Sequence, residues 1–320
     1  ADAAPSPPSW CYVHNVKDAR RPRALEVPAG RAPRLREDME RLLEELQAAI
    51  PAVFESDEYG AQRKLLEARL NEDSAQAFAE VEARAKEQGI ALIRAAQGVG
   101  LAPLRDGEVM EPEEFKRLPE EEQERLRAVM AELQKEIERA AAALPTAARK
   151  HREELRKLDR RVTAQAATQL VDEVRARWTD VPEVLGHLAE VEADVVDNAA
   201  DFLPAPEGAN AMKVLLGSRG KEARSFKRFE VNVLVTRDDP GAPVVYEDHP
   251  TYGNLVGRIE HLSELGNLVT DFTLIQAGAL HRANGGYLLV DARKLLMQPA
   301  AWDELKRALR SQVVRVDSLV

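Results

Sequence analysis

The residue most suited to take part in chemistry is Asp291, in the run GGYLLVDA. The four apolar residues before it, 287–290, predict a buried β-strand that presents the carboxylate at its end. A carboxylate in that position can hold Mg²⁺ through water, as phosphoryl transfer requires. It can equally cap the helix predicted for the following ARKLL run by accepting a backbone N–H.

The sequence lacks the two other features of a nucleotide-hydrolysing site, namely a phosphate-binding loop and a water-orienting carboxylate. A phosphate cradle needs a glycine-rich turn of the form G-x-x-x-x-G-K-[ST], and the nearest string, GSRGKEA at residues 217–223, lacks that frame. The residue after Asp291 is Ala292, which cannot accept a proton or orient a water molecule. The sequence therefore favours the capping role for Asp291, with metal binding as the alternative.

Three histidines, a cysteine and an arginine are the other candidates. His249, His261 and His281 are separated by 12 and 20 residues, which matches no compact metal motif, so we expect capping or packing roles. Cys11 is the only cysteine, which excludes an internal disulfide and favours a core position. Arg282 is expected to form a salt bridge rather than to face a neighbouring subunit. No metal site is predicted.

Composition limits the possible function classes. The chain has 320 residues, enough for two or three domains, and 31% of them are charged. Its net charge of -10 argues against a general nucleic-acid binder, because phosphate binding needs clustered positive charge. No run approaches the roughly 20 apolar residues of a membrane span, and no signal peptide is visible. A single cysteine fits a reducing cytoplasm.

The elements that must position these residues are mostly helical. Apolar residues from Leu35 to Ile50 follow one helix stripe that should stop at Pro51, and a second helix is predicted over 57–88. Residues 89–110 are punctuated by glycine, and Asp106-Gly107 is a hairpin-turn signal, so a small β element is expected there.

The most regular segment lies between residues 126 and 144. Its apolar residues alternate spacings of four and three, which predicts a coiled-coil seam. Pro145 predicts a kink or a reversal, because proline removes a helical donor. Helical periodicity continues to Trp178 and again over 184–202, so we expect long helices standing away from the α/β body. Strands are predicted at residues 10–15 and 228–236, with a linker at 203–210.

Several segments together resemble the Lon-like ATP-dependent proteases. The most specific are HPTYGNLVGRIEH and GALHRANGGYLLVDA, and the segments WCYVHN, LPTAARKHREELRKL, RFEVNVLV and AWDELKRALRS agree with them. The resemblance is closest to the soluble branch, which carries a long helical insertion in its AAA+-like module. In that family a strand like the one before Asp291 is the Walker B strand.

The resemblance implies a fold and its segments. We expect a partial α/β AAA+-like body with a long, mainly α-helical coiled-coil insertion and a small β element. The predicted segments are 1–55, the first part of the body; 56–118, a helix with a β-hairpin element; 119–204, the insertion; and 205–320, the second part of the body.

The resemblance also implies a function for the parent protein. It would be a cytoplasmic serine endopeptidase, assembled as a homo-hexamer, whose ring admits unfolded polypeptides to a proteolytic chamber; ATP and Mg²⁺ are possible there. The phosphate loop would precede Ala1 and the Ser-Lys dyad would follow Val320, since Ser318 has no lysine after it. This chain alone is thus expected to be inactive, to bind no cofactor, and to be monomeric or weakly associated. The alternative is a non-enzymatic coiled-coil interaction module on a decayed nucleotidase scaffold.

Overall fold

The computed structural model describes residues 4–18, 21–95, 98–105, 108–204, 226–237, 239–264 and 267–316. The chain divides into two compact units. Unit 1 comprises residues 1–53 and 163–320, and unit 2 comprises residues 54–162. None of the helices in the described ranges combines the length and the apolar character that spanning a bilayer requires.

A three-stranded antiparallel sheet opens unit 1. Its strands, in the order β2-β1-β6, are β1 (Ser9–Val13), β2 (Arg23–Val27) and β6 (Val231–Val235). Alternate residues of β1 are buried, including Cys11 and Val13, because side chains of a strand point to opposite faces. The predicted strands at WCYVHN and RFEVNVLV, and the core position of Cys11, are confirmed.

Two helices and the end of a third belong to the same unit. They are α1 (Ala32–Glu55), the last turns of α4 (Glu120–Arg175), and α5 (Pro182–Asp197), which a 3-10 turn (Ala199–Phe202) follows. The predicted stripe of α1 is buried from Leu35 to Ile50. The predicted stop at Pro51 is wrong, since α1 continues to Glu55. A proline near a helix end removes one backbone donor and leaves the final turn possible.

The C-terminal half of unit 1 consists of short elements. The strands are β7 (Val244–Glu247), β8 (Gly257–Ile259), β9 (Leu262–Glu264), β10 (Asn267–Val269), β11 (Ile275–Ala277) and β12 (Tyr287–Val290). The helices are α6 (Tyr252–Val256), α7 (Ala279–Arg282), α8 (Ala292–Leu296) and α9 (Pro299–Ser311). Strands β7 and β12 pair in parallel, whereas β8–β11 and β9–β10 pair antiparallel. Their core is built on Leu255, Val256, Ala279, Leu295 and Ala301.

Unit 2 is a helix pair with a small sheet. It contains α2 (Asp57–Glu87), β3 (Ile90–Ala95), β4 (Gly98–Arg105), β5 (Glu108–Val109), α3 (Pro112–Lys116) and α4 up to residue 162. The strands form an antiparallel sheet in the order β3-β4-β5, which confirms the predicted β element; the turn residues 106–107 lie outside the described ranges.

Contacts at two levels show how α2 and α4 run. Tyr59, near the start of α2, contacts Asp159. Arg84, near the end of α2, contacts Glu136, which lies earlier in α4. The two helices are therefore antiparallel. Their buried core is formed by Val81, Ala85, Ile90, Leu133 and Ile137.

Helix α4 corrects one prediction about Pro145. The chain does not reverse there, because the helix runs unbroken for 56 residues from Glu120 to Arg175 with Pro145 inside it. Alanines at 140–143 and 147–148 flank the proline, and alanine has the highest helix propensity. The coiled-coil character of the segment and the four predicted domain segments remain predictions. The compact units divide the chain elsewhere, inside α1 and inside α4.

Candidate functional site

The parallel pair β7–β12 places acidic residues together at one edge. Val290 is paired with Glu247, so both strands end at the same level. Asp291 follows β12 and Asp248 follows β7. We call Glu247, Asp248 and Asp291 the carboxyl edge. It is the place where an open α/β sheet with parallel strands offers a ligand site.

The double glycine before β12 lets the chain enter the strand tightly. A Cβ atom on Gly286 would lie 2.1 Å from the carbonyl oxygen of Pro243, and Gly285 has a φ of 72°. The amide of Tyr287 then donates to the same Pro243 oxygen at 2.7 Å. A side chain on Gly286 would separate these strands, so the glycine sets the register that brings Asp291 to the edge.

Asp291 itself caps helix α8. Its Oδ1 accepts a hydrogen bond from the backbone amide of Lys294 at 3.1 Å, and its backbone is extended, as an N-cap residue requires. The predicted N-cap role is confirmed. One carboxylate oxygen is therefore engaged with the chain's own helix.

The remaining acids of the carboxyl edge are matched by cations. The ammonium of Lys294 pairs with Asp248, and the hydrogen bond and charge of that ammonium lower the pKa of the Asp248 carboxyl. Arg282 Nη2 lies 3.2 Å from Glu247 Oε2, which confirms the predicted salt bridge of Arg282. Each carboxylate of the edge thus has a donor from within unit 1.

The contacts of the carboxyl edge do not by themselves assign a magnesium–nucleotide site to these residues. Within the described ranges, no three His, Cys, Asp or Glu side chains are grouped to hold a metal ion. Ala292 occupies the position where a water-orienting carboxylate would be needed, and the ammonium of Lys294 already neutralises Asp248. We therefore derive no hydrolytic step at Asp291. The GSRGKEA string and Ser318 lie outside the described residues.

The face of β7–β12 contradicts the predicted burial of the strand. Val244, Tyr246, Tyr287 and Leu289 are each more than half exposed. The other side chains of β12, Leu288 and Val290, pack on the core around Leu255. The described helices cover one face of this strand pair, and a strand alternates its side chains between faces.

The two segments that resemble the Lon-like proteases most closely contact each other. Ala277 of β11 is paired with Gly257 of β8, and a Cβ atom on Gly278 would lie 2.4 Å from Gly257 N. His281 Nδ1 accepts from the Gly278 amide at 3.3 Å, as the predicted capping role requires. Burial lowers the pKa of His281 to about 4. The glycines thus permit a backbone contact that any side chain would block.

A buried cluster around Asp38 was not predicted. Asp38 lies within the apolar stripe of α1, where it accepts from Arg177 and, at 2.9 Å, from Trp178 Nε1. The guanidinium of Arg31 lies over the Trp178 ring, 4.4 Å from its centre. A charge inside an apolar stripe was the available signal, because buried acids require partners.

Family comparisons match the two ends of unit 1. The model of the Lon-like LonC helical domain matches residues 9–42, from β1 into α1. The model of the LonB-like AAA domain matches residues 240–320, which contain β7, β12 and the carboxyl edge. Two segments of the chain are therefore similar to parts of Lon-like proteases. Unit 2 lies between these Lon-like segments and outside both matches. No curated protein matches the chain.

Proposed function

We propose that this chain is the polypeptide-handling and ring-forming part of a Lon-like serine protease. The observation that carries the proposal is the pair of Lon-like matches on one chain, a helical domain at 9–42 and an AAA domain at 240–320. Unit 2 lies between them in the sequence, as a domain inserted into an AAA-like body would.

The carboxyl edge supports a mechanical role rather than hydrolysis by these residues. Asp291 caps α8, Lys294 neutralises Asp248, and Arg282 neutralises Glu247. An edge organised in this way stabilises the strand–helix junction. We propose that this chain binds neither ATP nor Mg²⁺ and that its AAA-like fold serves as a scaffold.

The parent protein would then work as follows. Identical subunits form a hexameric ring through repeated interfaces, since closed rings need the same contact on each copy. The ring restricts entry to extended chains, so unfolded polypeptides reach a serine peptidase domain while folded proteins do not. This proposal places the protein in protein degradation in the cytoplasm.

The direct test is proteolysis by the full-length gene product. We expect it to degrade an unfolded protein, and to lose that activity after treatment with a serine-directed covalent inhibitor. The assay is run with and without ATP, because the proposal assigns no nucleotide site to these 320 residues. Absence of degradation under both conditions would refute the proposed function.

A second candidate follows from Asp291 and Ala292. A Walker B-like strand without a water-orienting carboxylate also fits a non-enzymatic interaction module on a former nucleotidase scaffold. That candidate predicts binding of polypeptide without any cleavage. The same proteolysis assay separates the two.

A further inference from the structure

Unit 2 contains an open groove between α2 and α4. Two cavities of about 680 and 450 Å³ lie side by side along these helices and share Leu66, Arg69 and Glu154. Because both cavities border these three residues, we treat them as one continuous groove. We call it the α2–α4 groove.

The sequence of α4 explains why the helices leave this space. The pair is packed at one level by Leu133 and Ile137, and at another by the hydrogen bond from Tyr59 to Asp159. Between these levels α4 carries alanines at 140–143 and 147–148. Packed helices typically lie about 8–10 Å apart, and small side chains leave between them space that large side chains would fill.

The floor of the groove is apolar. Leu66 and Leu70 of α2 and Ala147 of α4 line it, and they are half-buried in the structure. Leu65, beside them, is 56% exposed. Apolar side chains in a concave, accessible surface favour a ligand that brings apolar groups of its own.

The rim of the groove is basic. Arg69, Lys150, Lys157 and Arg161 border it, against a single acid, Glu154. Glu154 is already paired with Lys157 at 2.7 Å. Arg69 and Lys150 form no ion pair with any residue in the described ranges. The chain as a whole carries a net charge of -10, so the positive charge of this rim is opposite in sign to the net charge of the chain.

We infer that the α2–α4 groove binds short acidic, amphipathic segments of unfolded polypeptides. The floor takes apolar side chains, and Arg69 and Lys150 pair with Asp or Glu beside them. Residues 62–70 of α2 span about 12 Å at 1.5 Å per residue. That length matches about four residues of an extended peptide at roughly 3.3 Å per residue. A nucleic acid would meet the rim and offer no aliphatic side chains to the floor.

This inference rests on the proposed function for the source of the segment, an unfolded substrate. Peptide binding is measured without proteolysis, which keeps the two failures apart. The probe, called the Glu peptide, is a short fluorescein-labelled peptide of Leu, Ala and Glu. Its binding is measured by fluorescence anisotropy. In the matched Lys peptide each Glu is replaced by Lys, and in the matched Ser peptide each Leu is replaced by Ser. A labelled oligothymidylate serves as a polyanion without aliphatic side chains.

Two changes to the protein address the rim and the floor. The double variant Arg69→Glu/Lys150→Glu reverses the unpaired charges, and Ala147→Phe fills the floor. The matched control is Lys64→Glu/Lys135→Glu, which alters the net charge equally at exposed positions of the same helices outside the groove. Circular dichroism verifies that each variant retains its helices.

The inference predicts that both groove variants bind the Glu peptide at least about tenfold more weakly, while the control binds within about twofold of the unaltered protein. The Lys and Ser peptides should also bind at least about tenfold more weakly. Equal losses in the groove and control double variants would show general electrostatic attraction and overturn it. So would oligothymidylate binding that Ala147→Phe leaves unchanged, or no binding of the Glu peptide.

A degradation assay decides whether the groove handles substrate. If full-length Ala147→Phe degrades an acidic unfolded protein as fast as the unaltered protein, the groove has no role in substrate handling. The proposed protease function is unaffected by that result. If the unaltered protein degrades nothing yet binds the peptide, the proposed function fails and the groove survives as a binding site.

Discussion

The amide of Lys294 donates to Asp291 Oδ1 at 3.1 Å, and the ammonium of the same lysine pairs with Asp248. One residue thus engages both aspartates at the ends of two parallel strands. Proteins usually bind Mg²⁺ through one or two carboxylates together with the phosphates of a substrate. Lys294 instead stabilises the first turn of α8 and the junction with β7.

The cap at Asp291 leads to the first prediction. Asp291→Ala should destabilise unit 1 by about 1 kcal/mol, and Asp291→Asn by less, because asparagine is also a good N-cap residue. Neither variant should alter nucleotide binding, since we expect none. Urea unfolding and calorimetry with ATP and Mg²⁺ provide the measurements. Micromolar nucleotide binding that disappears in Asp291→Asn would restore a working Walker B site.

The contact between Gly257 and Gly278 leads to the second prediction. A Cβ atom on Gly278 would lie 2.4 Å from Gly257 N, so Gly278→Ala should cost about 1–3 kcal/mol by forcing the backbones apart. Gly253→Ala is the matched control, because its added atom would meet Arg258 Cβ at an ordinary 4.0 Å. All three tryptophans belong to unit 1, so their fluorescence follows its unfolding. Similar stabilities of the two variants would contradict the close contact.

Two buried histidines make unit 1 sensitive to acid. Burial lowers the pKa of His187 to about 3 and that of His281 to about 4, from an ordinary 6.5. Below pH 6.5 these histidines are protonated in the unfolded chain but stay neutral in the folded unit. The free energy of unfolding should therefore fall as the pH drops towards 4.

Replacing His187 tests this dependence. Neither ring nitrogen of His187 has a hydrogen-bond partner in the described part of the chain, so His187→Leu should cost little at pH 7.5. Between pH 7.5 and pH 5 the variant should lose about 2 kcal/mol less than the unaltered protein. Tryptophan fluorescence in urea at the two pH values measures both numbers. Identical pH dependences would mean that His187 is protonated in the folded unit.

The hydrogen bond between Tyr59 and Asp159 leads to a prediction for unit 2. The Tyr59 hydroxyl donates to Asp159 Oδ1 at 2.8 Å, and burial together with this bond raises the pKa of Tyr59 to about 12. Tyr59→Phe should destabilise unit 2 by about 1–3 kcal/mol, because the carboxylate loses a donor. Hydrogen exchange of the α2 amides would show it. Tyr246→Phe, at a side chain that is 66% exposed, should change stability by less than about 0.5 kcal/mol.

Local patterns predicted the elements whose signals are complete within a short window. The stripe of α1, the strand β1 and the cap at Asp291 each depend on neighbours a few residues away. The salt bridge of Arg282 was also predicted, although its partner Glu247 is 35 residues distant and could not be named from the sequence.

The features that the sequence did not reveal depend on distant packing. Pro145 does not reverse α4, because good helix formers on both sides of the proline maintain the helix. The exposed face of β12 depends on which helices cover the strand pair, which periodicity alone does not specify. Asp38 is explained only by Arg177 and Trp178, about 140 positions away.

Removal of unit 2 would show whether this chain handles unfolded polypeptide for a Lon-like protease, as we claim. The contact between Tyr59 and Asp159 shows that the two ends of the unit lie close together, so a short glycine-serine linker can replace residues 57–161 in the full-length protein. The three tryptophans of unit 1 then report whether that unit still folds. Because a bound substrate is held at high effective concentration, we predict that degradation of an unfolded protein falls at least about tenfold, while cleavage of a short peptide stays within about twofold. Equal losses on both substrates, or no loss on either, would contradict the claim.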